Sequence, residues 1–169
     1  AYGIPEGARL VIVHPGSGGS AKNLSIHQYA TLVDRLTSDR RLFILVSAGP
    51  GETEQASTLL NMISRHKAAL HASTDGLFAF AHVIAQADLF ISGSTGPLHI
   101  AGALNRQTLA FYPRKLSSTP LRWQTINEPS LRLAFTPPED AGESELQAID
   151  VEAAAAVASQ QFLQNNPDG

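Results

Sequence analysis

The sequence predicts an α/β fold: a parallel sheet with helices on both faces, in three α/β/α layers. Three observations predict it. Short apolar runs, rich in β-branched residues, recur at 10–13, 42–46, 89–92 and 108–111. Stretches with helical spacing of apolar residues separate them. Glycine, hydroxyl groups or charge crowd the turns that follow the runs. Continuous apolar runs of this length suit strands buried on both faces, and their alternation with helices is the pattern of βαβ units.

In chain order, residues 10–13 (LVIV) read as the first strand, ended by His14-Pro15-Gly16. A loop of glycine, serine and Lys22 follows. Ser25 and Gln28 then make a capping box that opens a helix running to about Ser38. The run 42–46 is the second strand, and Glu52 opens a helix running to about Arg65. Residues 69–72 make a weak third strand, followed by a helix over 77–86. Residues 89–92 form a fourth strand that breaks at Gly93-Ser94-Thr95-Gly96, and a helix resumes at Pro97 with Leu98, Ala101 and Leu104 on one face. A fifth strand spans 108–111. A long irregular stretch, 113–129, carries Arg114, Lys115, Arg122 and the only tryptophan, Trp123. A short sixth strand at 131–135, a Pro-rich acidic loop at 136–142, an Ala-rich helix at 151–163 and a frayed tail at 165–169 complete the chain.

With 169 residues, one domain of ordinary size is expected, with room for a substantial core. Hydrophobic content of 43% against 16% charged residues is that of a folded globular protein and not of a disordered one. A net charge of −3 and the lack of a basic stripe speak against nucleic acid as a partner. Cysteine is absent, which removes disulfides and thiolate metal sites. The opening AYGIPEGARL lacks the charged and apolar regions of a signal peptide, and no apolar run is long enough for a membrane-spanning helix. The chain starts just before its first strand, and it reads as a domain cut from a longer protein.

Ligands on parallel sheets bind beyond the carboxyl ends of the strands. That rule selects the turns at 16–22, 49–52, 93–96 and 112–115. The first contains G-x-G-x-x-A at Gly16, Gly18 and Ala21, the spacing of a dinucleotide fingerprint. The helix, however, begins only at Ser25, and no acidic residue ends the second strand to hold a ribose hydroxyl. A Walker A motif fails as well, since Asn23 follows Lys22 where serine or threonine is needed. What remains is either a nest of N–H groups with a lysine at its end, suited to phosphate, or a plain flexible loop. Glu52 could accept hydrogen bonds from a ribose diol or simply favour its helix N-terminus, and Glu54 could serve instead. The turn at Ser94-Thr95-Gly96, with His99 in the helix that follows, presents free N–H groups and hydroxyls to an anion. Arg114 and Lys115 read equally as a contact for pyrophosphate and as a solvated basic pair. The six histidines show no metal-ligand spacing, and Phe90 stands where a G-x-S-x-G nucleophile elbow at Ser92-Gly93-Ser94 would need glycine.

Taken together the turns resemble those of family 9 glycosyltransferases, the lipopolysaccharide heptosyltransferases. HPGSGG with Lys22 is similar to the donor-domain loop of that family, and AGPGE to its G-x-P-x-E turn. SGSTGPLHIAGAL is similar to its D-S/T-G-x-x-H-L/I-x-A-A-L signature, and AFYP to its L-F-G-P turn. The resemblance runs in order from about Leu10 to Trp123. Two positions depart from it: Ser94 replaces the usual aspartate, and Lys22-Asn23-Leu24-Ser25 replaces K-x-W-P.

The resemblance implies one Rossmann-like half of a GT-B enzyme, in which two such domains flank an active-site cleft. This chain would be a single nucleotide-sugar-binding domain over 1–169, the C-terminal half, with the acceptor domain absent. The implied donor is ADP-L-glycero-β-D-manno-heptose, the acceptor a sugar of the lipopolysaccharide inner core, and the reaction an inverting transfer. No cofactor or metal is expected beyond the donor. No catalytic residue is expected in this chain, because the family's general base is an aspartate of the other half, so the chain alone would be inactive. By position, Lys22 would bind donor phosphate and Glu52 the adenosine ribose. Ser17, Gly18, Ser94, Thr95, Gly96 and His99 would line the pyrophosphate and the sugar. A cytoplasmic location, with peripheral association at the inner face of the bacterial inner membrane, follows by the same analogy. Two alternatives stand beside it: a non-catalytic Rossmann-like binding module, suggested by Ser94, and an NAD-binding oxidoreductase domain, resting on G-x-G-x-x-A alone.

Overall fold

The computed structural model describes residues 2–18, 22–114 and 124–164. Of the residues singled out above, Ala21, Lys115, Arg122, Trp123 and the tail at 165–169 lie outside that set. Six strands form one parallel sheet in the order β3-β2-β1-β4-β5-β6. They are β1 (Arg9–His14), β2 (Leu42–Ala48), β3 (Lys67–Ala72), β4 (Leu89–Gly93), β5 (Gln107–Phe111) and β6 (Arg132–Phe135). Among the described residues five helices connect and follow them: α1 (Ile26–Arg35), α2 (Thr53–Met62), α3 (Gly76–Ile84), α4 (Gly96–Ala103) and α5 (Val151–Ala158).

Side chains of successive strand residues point to opposite faces. Val11 and Val13 of β1 therefore pack on one face against α1, α2 and α5, through Tyr29, Leu32, Leu59 and Ala154 among others. Leu10 and Ile12 pack on the other face against α3 and α4, through Phe80, Ile84, Leu98 and Ala101. The result is the expected three-layer, Rossmann-like α/β/α arrangement. From β1 the chain moves outward to β2 and β3, then returns to place β4 on the other side of β1. Connections leaving β1 and β4 run to opposite faces, which opens a crevice between their carboxyl ends, the place where such sheets bind ligands.

The element ends differ from the sequence reading for local reasons. The first helix begins as expected, with Ser25 and Gln28 forming a reciprocal capping box. It ends at Arg35, short of Ser38, whose hydroxyl donates instead to the carbonyl of Leu163. The second helix stops at Met62, because the N–H groups of Ser64 and Arg65 turn to the carboxylate of Asp34 on α1. Leu104 does not join Leu98 and Ala101 in the core; it caps α4 and is 37% exposed. The long C-terminal helix is α-helical only to Ala158, then widens over Ser159–Leu163. Buried Ser159 sits at that change, donating to the carbonyl of Ala155 and accepting the N–H of Thr37.

Candidate functional site

Three of the turns selected from sequence meet at the carboxyl end of β1. The first, after β1, is shaped by Asn23. Its Nδ2 donates to the carbonyl of Pro15 at 2.8 Å and more weakly to that of Gly16 at 3.4 Å. Its Oδ1 accepts from the N–H of Leu24 at 2.9 Å and from the Tyr29 hydroxyl at 2.6 Å. Tyr29 is wholly buried, and that burial pushes its phenol well above the usual range, so it acts as a fixed donor. The Asn23 oxygen also lies against Gly93 at the end of β4, where a Cβ would approach it to 2.7 Å. One amide thus orders the loop after β1 and packs it against the end of β4. Lys22, the residue before it, is exposed.

The second turn follows β2. Pro50 and Gly51 take its corner, with Gly51 at φ +78° and the Glu52 N–H returning to the Gly49 carbonyl at 3.1 Å. A positive φ at that position is the requirement of a type II turn, and glycine meets it without strain. The turn folds the Glu52 side chain back over the β1 loop. Its Oε1 accepts from the N–H of Gly18 at 2.8 Å, and Oε2 accepts from the N–H of Gly49 at 3.1 Å. The Glu52 carboxylate therefore does not cap its own helix; it bridges two turns.

His14, the last residue of β1, stands behind that carboxylate. Its Nε2 lies 3.6 Å from Oε2 of Glu52, an electrostatic contact too long for a hydrogen bond. Its Nδ1 is 2.9 Å from the hydroxyl of Ser47 on β2. Burial pushes the His14 pKa down, and the Glu52 charge offsets this only in part. Serine, histidine and glutamate in contact have the makings of a nucleophilic triad. Ser47, however, is 0% exposed, so no substrate carbonyl can reach it.

The third turn joins β4 to α4. Thr95 caps the helix, its Oγ1 accepting the N–H of Leu98 at 3.4 Å and standing 3.3 Å from the buried Ser92 hydroxyl. Gly96 is the first residue of α4 and is exposed. Its N–H has no partner within the helix, Pro97 has none to offer, and the N–H groups of Leu98 and His99 go to Thr95, so Gly96 supplies the donor that the first turn leaves open. Ser94 and His99 are half-buried on this element, and Ser17 is half-buried on the first loop.

The fourth turn serves a different purpose. The Arg114 guanidinium donates to the carbonyls of Ala141 at 2.6 Å and Glu139 at 3.4 Å. It pins the acidic loop rather than standing free for a phosphate. The glycines of G-x-G-x-x-A also fall outside the helix they would have to open, since α1 starts at Ile26. Among the described residues no three His, Cys, Asp or Glu side chains gather to hold a metal ion, and no helix is long and apolar enough to cross a membrane.

Sequence reasoning selected Ser17, Gly18, Lys22, Glu52, Ser94, Thr95, Gly96 and His99 but did not single out His14 and Asn23 for this site. His14 had a signal: the face of β1 that carries Leu10 and Ile12 continues with an imidazole where an apolar residue was due. Asn23 had none, because its partners come from four separate positions.

Comparison with known proteins identifies the family and the fold. The family model "Glycosyltransferase family 9 (heptosyltransferase)" matches residues 4–136. A candidate glycosyltransferase of Haemophilus influenzae is 44% identical over 151 residues, covering 88% of this chain and 44% of its own length. Among solved structures, the E. coli ADP-heptose lipopolysaccharide heptosyltransferase II superposes with a TM-score of 0.76 at 18% identity, covering 96% of this chain and 49% of that one. E. coli heptosyltransferase WaaC with ADP gives 0.68 at 18% identity, over 94% and 46% of the two chains. A family 9 glycosyltransferase from Veillonella parvula gives 0.70 at 16% identity, over 96% and 48%. The chain spans slightly less than half the length of these relatives, and its sheet matches one half of the GT-B heptosyltransferase structures. On the match of its family model and on its fold, this chain belongs to glycosyltransferase family 9, the heptosyltransferase family.

Proposed function

We propose that this chain is the donor-binding half of an inverting glycosyltransferase and holds a nucleotide sugar, ADP-heptose, in the crevice between β1 and β4. One observation carries the reading: Asn23 orders the loop after Lys22 and packs it against Gly93 at the end of β4, while Glu52 reaches over the β1 loop from the turn after β2. A cationic side chain, the N-terminus of α4 with the Gly96 N–H free, and a carboxylate are thereby gathered at the switch point. In this scheme Lys22 meets donor phosphate and Glu52 accepts the ribose hydroxyls. Ser17, Gly18, Thr95 and Gly96 line the pyrophosphate, and Ser94 and His99 face the sugar. Charge developing on the departing ADP is met by Lys22, the His99 imidazole and the N–H groups at the start of α4, where fixed donors lower the barrier most. The donor is the only small molecule the site takes.

The acceptor, a sugar of the lipopolysaccharide inner core, and the general base belong to the other half of the enzyme in this scheme. The chain alone then binds donor without turning it over, in the cytoplasm at the inner face of the inner membrane. Calorimetric titration with ADP and ADP-heptose tests the binding. Saturable heat is expected, and folded protein giving none at millimolar nucleotide would overturn the reading. Lys22→Ala is expected to weaken ADP about tenfold to a hundredfold, the worth of one charge-assisted contact.

Ser94, where the family carries aspartate, favours a second reading: a binding module that kept the fold and lost the transfer chemistry. Assaying sugar transfer by the full-length protein separates the two, since measurable transfer excludes the module.

A further inference from the structure

We propose that His14 is a positioning residue for the Glu52 carboxylate, and that through it the site tells a ribose from a deoxyribose. The proposal rests on the reading that Glu52 receives the ribose of the donor.

The argument begins with what is odd about His14. It is 4% exposed and occupies the third place in a row whose first two members, Leu10 and Ile12, are core residues. An apolar side chain would fill that place without the cost of burying an imidazole. The imidazole has instead a partner on each side. Ser47 lies beside it, because Val13 pairs with Val46 in the β1–β2 register. Glu52 faces its other nitrogen. Phe80 of α3 packs against the ring, 6.0 Å between centroids, with His71 of β3 stacked on the far side of Phe80. Ser92 of β4 is its register neighbour on the remaining side.

Burial keeps the ring neutral near pH 7, so it carries one N–H. The Ser47 hydroxyl has two acceptors to choose from: Nδ1 of His14 at 2.9 Å and the carbonyl of Val13 at 3.4 Å. Were it to donate to Val13, Nδ1 would hold the proton and a lone pair on Nε2 would face the carboxylate, a repulsive arrangement. Donation to Nδ1 uses the shorter contact and places the N–H on Nε2, toward Oε2 of Glu52. The geometry therefore assigns the Nε2–H tautomer. Oε2 then accepts the N–H of Gly49 and has the imidazole N–H as an electrostatic neighbour at 3.6 Å, while Oε1 holds the N–H of Gly18, at the open end of the loop. The imidazole dipole thus adds to the pull of Gly49 on Oε2 and favours the orientation that leaves Oε1 at Gly18. The Glu52 side chain is 16% exposed, which leaves it within reach of a hydroxyl.

The test compares ADP with 2′,3′-dideoxy-ADP by calorimetry on the wild type, His14→Phe and Ser47→Ala, with thermal melts to show that each is folded. The wild type is expected to favour ADP by about tenfold or more, the worth of a hydroxyl bonded to a carboxylate. His14→Phe keeps the ring volume and is expected to lose most of that preference, with dideoxy-ADP affinity changed less than about twofold. Equal weakening of both ligands, or an unchanged preference, overturns the proposal while leaving the donor-site reading intact. No binding by the wild type overturns the donor-site reading and the proposal with it. Nitrogen-15 NMR of the protein alone reads the tautomer directly: Nε2–H is expected, with the assignment blurred in Ser47→Ala, and Nδ1–H in the wild type overturns the proposal whatever binds.

Discussion

A Cβ added to Gly16 would lie 2.0 Å from Oε2 of Glu52, so the carboxylate rests directly on the glycine backbone. No rotamer change relieves such a contact without moving the carboxylate off its donors at Gly18 and Gly49. Gly16→Ala is therefore expected to cost about 1–3 kcal/mol of stability, the worth of displaced charge-assisted hydrogen bonds, and to abolish nucleotide binding. Denaturant unfolding and calorimetry check the two effects separately.

Asn23 and Tyr29 form a buried pair whose two members should not be equivalent. Tyr29→Phe removes one donor and leaves the Asn23 oxygen still bonded to Leu24, so a loss of about 1 kcal/mol is expected. Asn23→Ala strands the Tyr29 hydroxyl and the Pro15 carbonyl together, and about 2–3 kcal/mol is expected. Chemical denaturation of the two single variants and the double variant would show coupling, with the double variant losing less than the sum of the singles.

Stability should fall on mild acidification. Burial lowers the pKa of His14, His66 and His71 below the ordinary 6.5. A base whose folded pKa is depressed is held neutral by the fold, and the unfolded chain takes up protons first as pH drops. The stability is present in full above 6.5, and it is lost as pH falls below 6.5 toward the folded values. Melting temperatures measured from pH 8 to about pH 5 are expected to decline below 6.5. His14→Phe should flatten part of that decline.

Asp34 sets a second, more acidic limb. Burial alone would raise its pKa, but the Ser64 hydroxyl and the N–H groups of Ser64 and Arg65 outweigh that and hold it below 3.8. Its contribution is present above 3.8 and is lost as pH falls through the lowered value. Asp34→Asn is expected to cost about 1 kcal/mol at neutral pH, because the site is open to solvent, and to weaken the most acidic part of the curve. Acid titration followed by circular dichroism reads both.

Strands β1, β2, β4 and β5 were legible in the sequence because each is a continuous apolar run with no competing period. The parallel sheet followed from βαβ logic, and the edge that gathers the turns followed from the carboxyl-end rule, whereas the order of strands came from the structure. Helix ends were less legible. Asp34 stops α2 from a position on α1, and Ser159 widens the last helix by bonding across to Thr37. Such contacts join residues distant in sequence and leave no local pattern. The site divides in the same way. Lys22, Glu52 and Thr95 announce themselves by charge or hydroxyl beside glycine. Arg114 announced itself too, yet its charge is spent on carbonyls of the acidic loop. His14 and Asn23 acquire meaning only from their partners.

The contacts of the C-terminal segment lie at the end of the sheet away from the crevice. Arg9, at the start of β1, donates to the carbonyl of Phe162, and Ser38 and Thr37 bond to Leu163 and Ser159. These bonds secure the floor of the sheet, while Ser94, His99 and Lys22 sit on turns at its opposite rim. Substitution at the rim therefore draws little on the floor. Residues such as Ser94 can change while the scaffold beneath them keeps its fold, which gives this architecture room to evolve.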